Sequence, residues 1–201
     1  MSGPTTRTHA LERLLVVVTG ATSAAFLPFW LNWMRETRPD LQPRIVLTSS
    51  AGAFVSRGVL NALSTQPVEL DVWEPDSGVA RHVELAGWPD GVLVYPATAS
   101  YVSRLARATL DSPSQMALHL FAGPVCVAPA LPPGSERSVA LQRHLSALDD
   151  DPRVVVTPTV ASFSAQTRQL EPGGVAPLPQ ALTLLEDHHR LVGHGVRRSD
   201  R

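Results

Sequence analysis

The sequence predicts a single α/β domain, a doubly wound parallel sheet with helices on both faces in three α/β/α layers. Three observations carry that reading. Short, β-branched apolar runs recur without polar alternation, as strands buried on both faces require. Each run is followed by a loop and then by apolar residues at helical spacing. The 201 residues, 44% hydrophobic, contain no internal repeat and no clear linker. Strands that alternate with helices give parallel β-α-β units with right-handed crossovers.

The first strand is Leu14 to Val18, which breaks at Thr19-Gly20-Ala21-Thr22-Ser23. Phe26, Phe29, Trp30, Trp33 and Met34 then mark one face of a helix, with Ser23 as its N-cap and Pro28 near its start. Arg44 to Leu47 forms the second strand, followed by Thr48-Ser49-Ser50-Ala51 and a helix carrying Phe54, Val55, Val59, Leu60 and Leu63. A weaker strand covers Val68 to Val72, and a short helix covers His82 to Trp88. Gly91 to Tyr95 is the fourth strand, and Pro96-Ala97-Thr98-Ala99-Ser100 opens a helix through Arg107. Ser114 to Phe121 is helical, Val125 to Ala128 is the fifth strand, and Ser138 to Leu148 is a further helix. Val154 to Val156 is the sixth strand. Thr157 to Pro179 reads as a long loop, and Leu182 to His189 as the last helix. The domain spans 13–190, with a flexible N-terminus at 1–12 and a flexible tail at 191–201.

Composition excludes several function classes. A net charge of −1 gives no electrostatic footprint for nucleic acid or an acidic membrane surface. All 17 basic residues are arginine, so no lysine can form a Schiff base. Cys126 is the lone cysteine, which precludes an intramolecular disulfide and points to a reducing, cytoplasmic compartment. No apolar run approaches the ~18 residues of a membrane span, and Met1 to Leu11 does not read as a signal peptide. His188, His189 and His194 near Glu186 and Asp187 read as a solvated end and not a metal site. Asp149-Asp150-Asp151 reads as a turn, and Trp30 and Trp33 as packing residues.

Ligands of such sheets bind beyond the carboxyl ends of the strands. Three of those ends are rich in hydroxyls and each opens a helix, which suits a phosphate or simply caps the helix. The first loop lacks the G-x-G-x-x-G and G-x-x-x-x-G-K-[ST] spacings, leaving a mononucleotide cofactor as the favoured ligand.

Four stretches occur together in order: Val-Val-Thr-Gly-Ala-Thr-Ser at 17–23, Leu-Thr-Ser-Ser-Ala-Gly-Ala-Phe-Val at 47–55, His82-Val83-Glu84-Leu85-Ala86 with Trp88 and Asp90, and Pro96-Ala97-Thr98-Ala99. By these the chain resembles the homo-oligomeric flavin-containing cysteine decarboxylases over roughly residues 13–132. That family includes phosphopantothenoylcysteine decarboxylase and the peptidyl-cysteine decarboxylases of lantibiotic-type peptides. The resemblance implies a Rossmann-like (flavodoxin-like) fold, FMN, and a homo-oligomer (trimer or dodecamer) with the flavin where subunits meet. It implies that Gly20, Thr22, Ser23, Thr48 and Ser50 surround the FMN phosphate. Phe54 and Pro96, Ala97, Thr98 and Ala99 would border the flavin ring, and His82 would be the active-site base.

Two departures refine the expectation. The family's Pro-x-Met-Asn-x-x-Met-Trp motif corresponds here to Pro129-Ala130-Leu131-Pro132-Pro133-Gly134-Ser135-Glu136, so Pro132 replaces the Asn that meets the substrate carboxylate. The replacement donors would be the backbone N–H groups of Gly134 and Ser135, or the Arg137 guanidinium. No cysteine follows Cys126, whereas phosphopantothenoylcysteine decarboxylases use one there to reduce the enethiol. The expected product is therefore the oxidised enethiol of a C-terminal cysteine on a precursor peptide, with 157–179 as a substrate clamp. The alternatives are coenzyme A biosynthesis, the related flavin prenyltransferase branch, and an inactive FMN-binding partner subunit.

Overall fold

A computed structural model describes residues 11–74, 78–164 and 167–195. Strands β1 (Arg13–Val18), β2 (Gln42–Leu47), β3 (Glu69–Leu70), β4 (Gly91–Thr98), β5 (Val125–Ala130) and β6 (Val154–Val156) form one sheet. Their order is β3-β2-β1-β4-β5-β6 and every neighbouring pair is parallel. The order reverses between β1 and β4, which is where an open parallel sheet leaves a crevice.

Both faces are buried, as the unalternated strands require. Leu14, Val16 and Val18 pack against Leu27, Leu31 and Met34 of α1 (Leu27–Thr37), Leu60 of α2 (Arg57–Leu63) and Leu182 and Leu185 of α7 (Leu178–Gly195). Leu15 and Val17 point the other way, to Leu85 of α3 (Arg81–Gly87), Leu105 of α4 (Ala99–Ala106), Leu118 of α5 (Pro113–Leu120) and Leu141 of α6 (Val139–Asp149). Each fully buried aliphatic side chain contributes about 1.5–3 kcal/mol. Proline sits in the first turn of α1 and α5, where its missing N–H costs nothing. Thr98, Ser112 and Ser138 cap α4, α5 and α6 through their side chains.

Several local features differ from the sequence reading. Only part of the expected face of α1 meets the core: Met34 is buried and Trp30 and Trp33 pack against it, whereas Phe26 and Phe29 are 64% and 61% exposed and Leu27 and Leu31 are buried. Ser23 caps nothing, because a 3₁₀ turn over Thr22–Phe26 precedes α1 and the cap positions are Ala21 and Phe26. The second helix splits into a 3₁₀ turn at Ser49–Ala53 and α2, and the third strand shrinks to two residues. β4 runs on through a cis Tyr95–Pro96 bond to Thr98, where the sequence suggested a loop. Its register against β5 shifts between Val94 and Ala97, which accommodates a residue with no N–H to donate.

The largest difference is in 157–179. This segment contains an antiparallel hairpin of β7 (Val160–Phe163) and β8 (Leu170–Gly174). Thr157 is buried and its N–H donates to Val127 O at 2.9 Å, so the segment leaves directly from the sheet. At the chain ends, Leu11 is buried and Glu12 accepts from Gln42 N–H at 2.7 Å, so both belong to the domain. α7 extends to Gly195, beyond the expected end at His189. Residues 1–10 and 196–201 of the expected flexible ends lie outside the described residues. No described helix is long and apolar enough to cross a membrane.

Candidate active site

A cavity of about 890 Å³ opens beyond the carboxyl ends of β1, β4 and β5. Its first wall is the loop after β1, with Gly20, Thr22 and Ser23. Phe26, Phe29, Trp30 and Phe54 make an aromatic wall, and Tyr95, Thr98, Ala99 and Ser100 line it along β4 and α4. Pro132 and Pro133 close it after β5, and the β7–β8 hairpin forms its outer side.

Buried Thr19 ties the two central strand ends together. Its Oγ1 donates to Pro96 O at 2.6 Å and accepts from Thr98 N–H at 2.8 Å. The loop after β2 closes onto the loop after β1: a Cβ on Gly20 would lie 2.6 Å from Ser50 Oγ, so no larger residue fits there without movement. Thr48 Oγ1 and Ser50 Oγ lie 3.3 Å apart. Ala24 N–H makes the first bond of the 3₁₀ turn, to Ala21 O, so the N–H groups of Thr22 and Ser23 precede the hydrogen-bonded turn. Burial pushes the Tyr95 hydroxyl up to about 12, so this wall residue stays neutral at physiological pH.

These features fit FMN, the cofactor of the family's decarboxylases. The hydroxyl-bearing loops suit one phosphate, the aromatic wall suits a flat ring system, and the volume lies within the range of cofactor sites. Among the described residues no group of three or more His, Cys, Asp and Glu could hold a metal ion. Cys126 lies in the sheet core and burial pushes its thiol up to about 12, which removes it from redox chemistry.

The structure brings Gly20, Thr22, Ser23, Phe54, Thr98, Ala99 and Pro132 together at the cavity. Thr48 and Ser50 stand behind Gly20, while Pro96 and Ala97 lie within β4 just below Thr98. His82 is elsewhere. It occupies the first turn of α3, edge-on to Trp73 at 5.6 Å between ring centroids, with its Nδ1 buried and without a hydrogen-bond partner. Trp73 is held by its indole N–H, which donates to Asp111 O at 2.9 Å. The start of α3 is fixed by Arg81 on Glu69 at 2.5 Å, and Glu69 also pairs with Arg44. Burial works against the charge of Arg44, but the Glu69 and Glu84 carboxylates together outweigh it and the guanidinium pKa is raised.

The loop after β5 offers few of the donors expected of it. Ser135 spends both its hydroxyl and its N–H on Pro132 O, at 2.5 and 3.1 Å. Leu131 N–H is taken by Gly173 O at 2.8 Å, and Pro132 and Pro133 have no N–H. Arg137 has an 80% exposed side chain, pairs with Glu136 at 3.0 Å and does not line the cavity. Gly134 turns the loop at φ +87° and lies outside the cavity lining as well.

Sequence reasoning missed Phe26, Phe29, Tyr95, Thr19 and the hairpin residues Phe163 and Glu171. The signal for the first two was present as aromatic spacing but was assigned to the core. Comparison with known proteins fits the geometry. The chain is 34% identical over 170 residues to the cypemycin cysteine dehydrogenase (decarboxylating) of a Streptomyces sp, covering 84% of this chain and 87% of that protein. The solved cypemycin decarboxylase CypD is similar at a TM-score of 0.72 and 28% identity, over 94% of this chain and 99% of CypD. The FMN-dependent cysteine decarboxylase SpaF is similar at 0.74 and 25%, over 90% and 98% of the two chains. The sequence model of the Flavoprotein family matches residues 2–177, and the chain belongs to that family.

Proposed function

We propose that this chain is an FMN-dependent decarboxylase that oxidises the C-terminal cysteine of a ribosomally made precursor peptide to an enethiol, for aminovinyl-cysteine formation. The observation that carries this reading is the cavity at the switch point of the sheet, hydroxyl-rich on one side and aromatic on the other. The similarity to a cysteine dehydrogenase that decarboxylates supplies the reaction class. The lack of any cysteine after Cys126 favours release of the enethiol over its reduction, and hence the peptide reading over coenzyme A biosynthesis. A reduced, lone Cys126 is in keeping with a cytoplasmic protein.

When bound, FMN supplies the two-electron oxidation at the cysteine Cβ. Gly20, Thr22 and Ser23, backed by Thr48 and Ser50, hold its phosphate, and Phe54, Thr98 and Ala99 border its ring. Loss of a hydride from Cβ and a proton from the thiol leaves a thioaldehyde. That group accepts the electron pair of the breaking C–C bond as carbon dioxide departs. His82 takes the proton in this scheme, and it does not line the cavity of its own chain. A second copy therefore supplies it, in a trimer or a dodecamer. Support comes from two apolar surfaces: Trp73, Val79 and Val83 around His82, and Phe26 and Phe29 at the cavity. Two different patches on one chain make a head-to-tail contact, the kind that builds a ring when its rotation closes.

The test uses two peptides with one sequence, one ending in free cysteine and one in cysteine amide, incubated with FMN-loaded protein. The acid loses carbon dioxide plus two hydrogens by mass spectrometry and the amide is unchanged. Unchanged mass for every cysteine-terminated peptide, the cognate one included, leaves an FMN-binding partner subunit as the reading. The sparse donors of the β5 loop are the observation that keeps this second reading open.

A further inference from the structure

We infer that Glu171 makes this site selective for peptides with an arginine or lysine upstream of the terminal cysteine. The inference rests on the peptide reading above and concerns the same cavity. Among the described residues lining the cavity, Glu171 alone carries a formal charge on its side chain. It lies in β8 opposite Ser162 of β7 and is half-buried. Other acids at the sheet margins are paired: Glu69 with Arg81, Asp90 with Arg13 and Asp151 with Arg153. The Glu171 carboxylate has no hydrogen-bond or ion-pair partner among the described residues.

A lone carboxylate in the wall repels a substrate that itself ends in a carboxylate, unless the two are kept apart. That repulsion gives the peptide a direction. Its terminus lies away from the hairpin, toward Thr98 and Ala99, which border the ring, and its upstream residues pass the hairpin. Phe163, 68% exposed, and Pro172 line the same outer side and offer apolar surface to a methylene stem. A long basic side chain uses both features, its stem on the apolar surface and its head on Glu171. An acidic residue at that position meets like charge. Glu171 thus discriminates both for one class of peptide and against another.

The probes are N-acetylated pentapeptides with Arg, Gln or Glu placed at each upstream position in turn. Binding to FMN-loaded protein is measured by calorimetry on peptides ending in serine, and turnover by mass spectrometry on peptides ending in cysteine. At one upstream position Arg binds about fivefold more tightly than Gln, the upper end for an exposed ion pair, and Glu binds more weakly still. The preference shrinks in molar salt, disappears in Glu171→Gln and reverses toward Glu in Glu171→Arg. Equal binding of the three peptides at every position, no binding at all, or a preference that survives Glu171→Gln overturns the assignment. Turnover of cysteine peptides without charge preference removes the role of Glu171 and leaves the decarboxylase. Charge-selective binding through Glu171 with no turnover does the reverse.

Discussion

His82 illustrates what a single residue can and cannot reveal. The family resemblance pointed to a base, but its position relative to the cavity was not encoded nearby. The imidazole stands against Trp73 on α3, with Nδ1 enclosed, and the cavity lies beyond other strands. We predict that His82→Asn retains FMN, seen in the absorbance of the purified protein, and loses turnover by about 10²–10⁴-fold, the usual contribution of a positioned proton acceptor. Retention of the parental rate excludes the assignment. Pro132 was legible as a break in the motif, because a missing side-chain donor is visible in the letters themselves. The fate of Ser135 and Arg137 was not legible. Which atom takes the Ser135 N–H, and whether Arg137 faces the cavity, are set by a turn at Gly134 whose geometry depends on its surroundings.

Among the elements, the apolar cores of the strands were legible, since short β-branched runs have few competing patterns, although β2, β4 and β5 each run two or three residues beyond an expected end. Leu14 to Val18 and Val154 to Val156 match β1 and β6 within a residue. The β7–β8 hairpin was not, because Ser, Gln, Gly and Pro obscure alternation and its pairing comes from a contact with the β5 loop. Gly173 makes that contact: its φ is +104°, and a Cβ there would stand 2.6 Å from Leu131 O. Gly173→Ala therefore costs about 1–3 kcal/mol of hairpin docking. The expected result is a raised KM for peptide with FMN affinity unchanged, and an unaltered KM argues that the hairpin does not touch substrate. At the entry to β6, Arg153 binds Asp151 through paired contacts and also reaches Phe121 O. The Arg153 hydrogen bond holds the Asp151 carboxyl below its ordinary 3.8. This pair stabilises the fold above pH 3.8 and the contribution is lost as pH falls through the lowered native value. Thermal melts should therefore drop steeply below about pH 4, and less steeply in Asp151→Asn. Parallel curves for the two proteins contradict that role.

For the whole molecule, the order β3-β2-β1-β4-β5-β6 places the crevice between β1 and β4, where three loops with hydroxyl or small residues converge. Fold class followed from alternation of strand and helix, and the switch point followed from fold class. The exposed aromatics did not: Phe26 and Phe29 have the periodicity of a core face, and only the assembled sheet directs them to the cavity. The proposed ring of subunits predicts a mass of three chains or a multiple of three by light scattering at micromolar concentration, and a monomer excludes a shared site. The reaction itself is tested most directly in a single anaerobic turnover. FMN-loaded protein is mixed with a cysteine-terminated peptide while the visible flavin band and the peptide mass are followed together. The band bleaches in step with loss of carbon dioxide plus two hydrogens from the peptide, and recovers on admission of air. A band that stays unchanged while the cognate peptide keeps its mass contradicts the account.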